Sequence, residues 1–212
     1  MAEAPDLKRL YEAVLNGDAA AARQVTQDAL AAGVDPQSLV VEQMIPAMDE
    51  VGKRFECNEF YVPELLIAAR AMKGALEILR PLLAARGIEP AGRVVIGTVK
   101  GDLHDIGKGL VASMLEGGGF EVVDLGVDVP ADQFVKKAEE CRADIIAVSA
   151  LLTTTMTAMK GVIDAVKSSS LTCRIIVGGA PVTQQYADSI GADGYSSNAS
   201  GAVALARKLM AA

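Results

Sequence analysis

Residues 93–109 read RVVIGTVKGDLHDIGKG, a β-branched apolar run followed by a polar loop that ends in Gly107-Lys108-Gly109. A short continuous run of this kind is typical of a parallel strand that is covered on both faces. Comparable runs occur at residues 122–125, 144–149 and 174–178, with a weaker one at 194–196. Residues 93–99 are therefore the first of five predicted strands.

Helix-length amphipathic segments separate these runs, at residues 105–117, 131–142, 154–168, 182–190 and 198–211. Alternation of strands and helices predicts a parallel sheet with helices on both faces. We expect residues 91–212 to form a doubly wound, flavodoxin-like α/β domain with strand order 2-1-3-4-5. Ligands of such folds bind beyond the carboxyl ends of the strands where the winding reverses, between strands 1 and 3.

Residues 1–90 follow a helical pattern instead, with apolar positions three and four apart, as in Leu7, Leu10, Tyr11 and Val14. Breaks are predicted at 16–17, 33–36, 57–63 and 86–87, where glycine, proline and capping residues cluster. The economical interpretation is a four-helix bundle that forms a separate N-terminal domain.

Composition limits the possible partners. The formal net charge is −7 and no Lys/Arg run is present, which argues against nucleic acid and anionic membranes. No apolar run reaches about 18 residues, the length of a membrane-spanning helix, and a cytoplasmic location is expected. Three unpaired, widely spaced cysteines indicate neither disulfides nor zinc, and we expect them to be buried.

His104 is the single histidine, and it lies in the loop after strand 1 with Asp102 two residues earlier. A carboxylate that accepts one ring N–H of a histidine fixes the tautomer in which the other nitrogen can bind a metal. One protein ligand cannot hold a bare zinc ion, and a haem-attachment motif is missing, so any metal is expected inside a macrocycle. A corrin, which leaves two axial positions on cobalt, fits one imidazole.

These loops closely resemble the cobalamin-binding domain family, whose pattern is Asp-x-His-x-x-Gly, then Ser-x-Leu, then Gly-Gly. The resemblance implies that the benzimidazole of the cofactor leaves cobalt and enters a slot in the domain, and that His104 replaces it as axial cobalt ligand. It also implies that Thr155 contacts the Asp102 carboxylate. The implied cofactor-binding residues are Asp102, His104, Asp105, Ile106, Gly107, Ser149, Leu151, Thr153, Gly178 and Gly179.

The N-terminal half resembles the helical cap of methionine synthase, on the basis of Met48-x-x-Val51-Gly52-x-x-Phe55 and the segment FYVPELL at 60–66. In that family the cap covers the upper corrin face and shields the methyl group. By position, the resemblance assigns this role to Tyr61 and Val62.

A helical cap joined to a cobalamin domain is similar to the free-standing corrinoid proteins of anaerobic methyl transfer. The resemblance implies a carrier, not an enzyme by itself, that binds cobalamin or a related corrinoid as cob(I)alamin, methylcob(III)alamin or hydroxocobalamin. A substrate-specific methyltransferase would methylate Co(I), a second methyltransferase would pass the methyl group to tetrahydrofolate or a thiol, and a reductive activator would be a further partner. The methyl donor stays open among methanol, methylamines, glycine betaine and aryl methyl ethers.

Other interpretations compete with this one. A phosphate-binding loop is disfavoured because Gly109 stands where Ser or Thr would hold magnesium. A response-regulator receiver is disfavoured because Ser149 ends strand 3 where an acidic residue is needed. A cobalamin-dependent mutase subunit and a cobalamin-sensing regulator share the motif and remain the alternatives, although no DNA-reading segment is evident.

Overall fold

A computed structural model describes residues 6–211, and the chain divides into two compact units. The first unit runs to Pro90 and includes Glu116–Gly119. The second unit consists of Ala91–Leu115 and the chain from Phe120 onward.

The first unit is helical. Its elements are α1 (Lys8–Leu15), α2 (Ala19–Ala31), α3 (Pro36–Ser38), a π-helical segment (Leu39–Met44), α4 (Ile45–Glu56) and α5 (Val62–Ala85). Because α3, the π-helical segment and α4 follow one another without a break, the described part of this unit contains four helical stretches, as the sequence predicts. The fold class is thereby confirmed for this half.

Local chemistry sets where these helices begin. The Asp18 carboxylate accepts the Ala21 N–H at 2.9 Å and begins α2, and Asp35 accepts the Ser38 N–H at 3.0 Å at the start of α3. Pro46 has no N–H to donate to an earlier carbonyl, and the π-helical widening falls directly before it.

The apolar positions of these helices form a buried core. Burial of large apolar side chains removes apolar surface from water and stabilises the unit. The largest fully buried side chains are Leu10, Leu39, Met44, Met48, Leu65, Met72 and Leu79.

The second unit is a doubly wound α/β domain. Its strands are β1 (Arg93–Thr98), β2 (Glu121–Asp124), β3 (Ile145–Ser149), β4 (Arg174–Gly178) and β5 (Gly194–Ser196). Its helices are α6 (Ile106–Gly117, of which the last two residues are grouped with the first unit), α7 (Ala131–Cys141), α8 (Ala158–Lys167), α9 (Gln184–Ile190) and α10 (Ala199–Met210). The sheet is parallel with order β2-β1-β3-β4-β5, which confirms the predicted topology.

The strand register brings the candidate loops together. Thr98 pairs with Ser149, Ser149 with Gly178, and Gly178 with Ser196, so one row of residues runs along the carboxyl edge of the sheet. The loops after β1, β3, β4 and β5 consequently leave the sheet side by side. The winding reverses between β1 and β3, where a ligand site is expected.

Two expectations were wrong in detail. Residues 154–157 form turns, and α8 begins at Ala158, because the Thr155 hydroxyl is bonded to Asp102 and to the Leu152 carbonyl. Cys57 is exposed just after the end of α4, whereas Cys141 and Cys173 are half-buried. All three are free thiols.

Within the described residues, every helix is too short or too polar to traverse a lipid bilayer.

Candidate functional site

The His104 ring and the Asp102 carboxylate form a hydrogen-bonded pair in the loop between β1 and α6. Nδ1 of His104 lies 2.9 Å from Asp102 Oδ1. An ionised carboxylate can only accept, so Nδ1 carries the proton and the lone pair lies on Nε2. The His104 side chain is half exposed while that of Asp102 is buried. The half-exposed ring is therefore held through Nδ1 by a buried carboxylate, and Nε2 is the ring nitrogen left without this contact.

Each carboxylate oxygen of Asp102 accepts two hydrogen bonds. Oδ1 accepts the His104 N–H at 3.1 Å in addition to the ring, and Oδ2 accepts the Leu151 N–H at 2.8 Å and the Thr155 hydroxyl at 2.6 Å. Burial by itself would raise the pKa of the Asp102 carboxyl. The hydrogen bonds from Thr155, Leu151 and His104 outweigh burial and hold this pKa well below its usual range, so Asp102 is ionised at neutral pH.

Thr98 fixes the other side of the same loop. This buried residue ends β1, and its hydroxyl donates to the His104 carbonyl oxygen at 2.8 Å. The loop carrying His104 is thus tied to the sheet edge through its main chain as well as through Asp102. Sequence reasoning missed Thr98, although a hydroxyl residue at the end of a buried strand facing a candidate loop could have signalled it.

Large apolar side chains around His104 are exposed. Leu103 is 73% exposed and Ile106 is 81% exposed, and across the winding reversal Leu151 and Leu152 are 40% and 45% exposed. A group of exposed apolar side chains usually marks a surface that another molecule covers. An apolar macrocycle is a fitting partner for this rim.

The glycines of the motif differ in the space around them. A Cβ at Gly107 or Gly109, on the first turns of α6, would meet nothing within 4 Å. A Cβ at Gly179 would lie 1.8 Å from the Ala150 carbonyl oxygen, and one at Gly178 would lie 3.1 Å from the Ser196 carbonyl oxygen. The Gly178–Gly179 pair thus permits close backbone packing, whereas Gly107 and Gly109 leave open room beside α6.

These observations test whether the residues fit a corrinoid. Within residues 6–211, no group of three or more His, Cys, Asp or Glu side chains could hold a metal ion. One half-exposed imidazole with a free lone pair, an apolar rim and open space beside α6 suit a metal that a macrocycle already holds. The donor set therefore fits a corrinoid.

The remaining predicted residues lie at several places. Ser149 ends β3 in the edge row, Asp105 is exposed directly before α6, and Thr153 is exposed in the loop after β3. Tyr61 and Val62 are exposed at the start of α5 in the helical unit. Their assignment to the cofactor stays a prediction.

An ion pair between a buried lysine and an exposed aspartate was also missed by sequence reasoning. Lys108 on α6 has a side chain that is only 3% exposed, and its ammonium contacts both carboxylate oxygens of Asp124 at the end of β2. Asp124 also accepts the Gly126 N–H at 2.8 Å. The pair ties the first turns of α6 to the neighbouring strand, a contact between residues that no sequence motif joins.

Comparison with known proteins gave consistent matches along the chain. Residues 92–204 match the family described as "B12 binding domain", and residues 6–80 match a second family with the same description.

Relatives cover nearly the whole chain. Trimethylamine corrinoid protein 1 of Methanosarcina acetivorans is 44% identical, with 96% of each chain covered. Dimethylamine corrinoid protein 1 of the same organism is also 44% identical, with 84% of this chain and 85% of that protein covered.

Solved structures agree in fold. A cobalamin-binding protein from Desulfitobacterium hafniense is 32% identical with a TM-score of 0.78, covering 96% of this chain and 98% of that one. The methanol:cobalamin methyltransferase complex MtaBC from Methanosarcina barkeri contains a chain that is 29% identical with a TM-score of 0.87, covering 97% of this chain and 79% of that one.

Proposed function

The chain belongs to the B12-binding family of corrinoid proteins, and on that basis we propose that it is a corrinoid-binding methyl carrier. It accepts a methyl group from a substrate-specific methyltransferase and presents it to a second methyltransferase, whose acceptor is tetrahydrofolate or a thiol. It is not an enzyme by itself but one component of a multi-protein methyltransferase system.

One observation carries the assignment of the site. Asp102 is buried, ionised and bonded to Nδ1 of His104, which leaves Nε2 of the single histidine free to ligate. When bound, the corrinoid supplies a cobalt ion that takes up and releases the methyl group in changing oxidation states, chemistry that side chains cannot perform. The Asp102 carboxylate holds the proton on Nδ1 and thereby fixes the tautomer and the orientation of the imidazole.

Other residues position the group and exclude water. The open space beside Gly107 and Gly109 suits the nucleotide tail of the cofactor. Gly178 and Gly179 have no side chains and so permit close backbone packing at the carboxyl edge of the sheet. Leu103, Ile106 and Leu151 offer apolar contact, and Asp105, Ser149 and Thr153 offer polar contact. Tyr61 and Val62, on the helical unit, are assigned to the methyl-bearing face by resemblance.

The methyl donor is proposed to be a methylated amine. Support comes from the trimethylamine and dimethylamine corrinoid proteins, which are 44% identical to this chain. The chain also resembles part of the methanol:cobalamin methyltransferase complex MtaBC, so methanol is the competing donor.

A reductive activator is a further proposed partner, and the proposed location is the cytoplasm. A reductive activator is included because a Co(I) form must be restored after oxidation. A cytoplasmic location agrees with three free thiols. The mutase subunit and the cobalamin-sensing regulator are not favoured, because the relatives are trimethylamine and dimethylamine corrinoid proteins.

The test of axial ligation is the absorption spectrum of the reconstituted protein. His104→Ala should remove the spectral features that depend on a protein imidazole, because no second histidine can replace it. Ser168→Ala, which alters an exposed hydroxyl at the far end of α8, is the matched control and should leave the spectrum unchanged. An identical spectrum for His104→Ala and the unmodified protein would disprove the ligation.

The test of the carrier role is methyl transfer. Protein loaded with cob(I)alamin should become methylated by a trimethylamine or dimethylamine methyltransferase and then lose the methyl group to an acceptor methyltransferase. An adenosyl ligand on the purified protein, with no methylation by any partner, would favour the mutase or regulator.

A further inference from the structure

Asp128 has an unusual backbone conformation in the loop between β2 and α7. Its φ is 54°, in the left-handed region that few residues other than glycine adopt. Aspartate and asparagine enter this region more readily than other side chains because they can hydrogen-bond locally. A left-handed aspartate beside a candidate site indicates that the surrounding structure holds it there.

Asp128 is bonded in both directions to the loop that carries His104. Its N–H donates to the Asp102 carbonyl oxygen at 2.9 Å, and its carboxylate accepts the Gly101 N–H at 2.8 Å. The Lys100 ammonium lies 3.2 Å from the same carboxylate. The Gly101 N–H, followed by Lys100, holds the pKa of Asp128 below its usual range. Three consecutive residues of the loop therefore contact one residue.

The residues on either side of Asp128 in the β2–α7 loop are hydrogen-bonded to the end of β1. The Thr98 N–H donates to the Gly126 carbonyl oxygen at 3.0 Å, and the Val129 N–H donates to the Thr98 carbonyl oxygen at 3.0 Å. Val99 and Val129 form a parallel bridge beyond the end of β1. Asp128 is thus presented by backbone that is itself bonded to the end of β1.

The contacts to Asp102 divide into two sets. Thr155 and Leu151 hold its carboxylate from the β3 side, whereas Asp128 holds its main chain from the β2 side. The His104 ring is half exposed and receives its orientation from Asp102. A shift of the Asp102 backbone would therefore move the carboxylate that accepts the hydrogen bond from Nδ1 of His104.

We infer that Asp128 is a positioning residue for the axial imidazole: its carboxylate holds the Gly101 N–H and so fixes the main chain that leads into Asp102 and, through the Asp102 carboxylate, the orientation of His104. This inference rests on the proposed function, since the imidazole matters as a cobalt ligand. It adds a residue outside the Asp-x-His-x-x-Gly motif to the ligating apparatus.

Two substitutions separate the carboxylate from the backbone conformation. Asp128→Gly keeps the left-handed conformation without a steric cost but removes the acceptor of the Gly101 N–H. Asp128→Asn keeps that conformation and an oxygen acceptor, and serves as the rescuing variant. If Asp128 positions His104, the glycine variant loses positioning and the asparagine variant retains it.

Asp193 provides a matched control at the opposite edge of the sheet. Its N–H donates to the Ile175 carbonyl oxygen at 2.7 Å, and its carboxylate accepts the Ile175 N–H at 2.7 Å. Arg174 lies near it as Lys100 lies near Asp128. Asp193→Ala therefore removes the carboxylate half of a comparable two-way contact where β4 begins, far along the strands from His104.

The first readout uses the protein without corrinoid. Because His104 is the single histidine, its ring ¹⁵N resonances are unambiguous in NMR spectra. Asp128→Gly should average the Nδ1 and Nε2 shifts of a ring that otherwise holds its proton on Nδ1, and should speed exchange of the Gly101 amide hydrogen. Asp128→Asn and Asp193→Ala should leave both signals as in the unmodified protein.

The second readout uses protein reconstituted with methylcobalamin. Asp128→Gly should weaken imidazole coordination about tenfold, the lower end of the effect of losing an outer partner of a metal ligand. Its spectrum should shift toward that of His104→Ala, while Asp128→Asn and Asp193→Ala keep the original spectrum. The ring signals and the spectrum report on positioning, and a purely structural role would not move them.

The outcomes separate the inference from the proposed function. If His104→Ala changes the spectrum but Asp128→Gly changes neither the spectrum nor the ring signals, the role of Asp128 is refuted and the ligation stands. Equal shifts from Asp193→Ala would also overturn it, because they would show a general loss of stability. If His104→Ala itself has no effect on the spectrum, the ligation fails first.

Discussion

The Thr155 hydroxyl donates a 2.6 Å hydrogen bond to the Asp102 carboxylate, across 53 positions of sequence. The loop after β3 thereby supports an anion in the loop after β1. Thr155→Val should lower the free energy of unfolding at pH 7 by about 1.5–3 kcal/mol, the range for a hydrogen bond to a charged group.

The same substitution should have a defined pH dependence. The folded pKa of Asp102 lies below its unfolded value of about 3.9, so its stabilisation is present above that value and is lost as pH falls through the folded pKa. Thr155→Val raises the folded pKa, and the difference in stability from the unmodified protein should shrink only below about pH 4. Urea unfolding between pH 7 and pH 2 measures this. A difference that stays constant throughout, or that Thr157→Val reproduces, would contradict the prediction.

Gly179→Ala should destabilise the α/β domain strongly. Its φ is 126°, and the new Cβ would lie 1.8 Å from the Ala150 carbonyl oxygen. Strain and overpacking together should cost about 2–5 kcal/mol in urea unfolding. Gly191→Ala, with φ 76° but only the flexible end of Lys167 nearby, measures the conformational cost alone and should cost about 1 kcal/mol. Equal costs for both would show that the clash at Ala150 is relieved.

Gly107→Ala should separate stability from cofactor uptake. On α6 a Cβ at this position meets nothing within 4 Å, and alanine stabilises a helix by about 0.5–1 kcal/mol relative to glycine. We expect equal or higher stability together with weaker cobalamin binding, because the methyl group enters the space assigned to the nucleotide tail. Binding by absorbance titration checks this, and undiminished affinity would show that the tail lies elsewhere.

The Lys108–Asp124 pair should respond asymmetrically to substitution. Asp124→Ala leaves a buried ammonium without its carboxylate and should cost about 1–3 kcal/mol, whereas Lys108→Met removes the charge and should cost less. Asp164→Ala breaks an exposed pair with Lys160 and should cost at most about 0.5 kcal/mol. Thermal unfolding ranks the three, and the reverse order for the first two would indicate that solvent reaches Lys108.

Much of the architecture could be predicted because continuous apolar runs in the sequence indicate buried strands. The strand order followed from five β-α repeats, and the closeness of Asp102 to His104 followed from their spacing. The turns at 154–157 could not be predicted, since their helix-like pattern is overridden by the bond between Thr155 and a carboxylate far away in sequence.

Contacts between separate loops account for the rest of what sequence reasoning missed. Asp128 resembles any loop aspartate until its φ and its bonds to Gly101 and Asp102 are known. Lys108 looks like a solvated helix residue, and only the position of β2 shows that its ammonium is buried. Such relationships depend on strands that lie side by side in space, which a single sequence does not record.

The exposed Leu103 and Ile106 side chains also have a thermodynamic consequence. Water in contact with these side chains is released when a ligand covers them, and removal of apolar surface from water lowers the heat capacity. Corrinoid uptake measured by calorimetry at several temperatures should therefore become more exothermic on warming, and Ile106→Ser should reduce that slope.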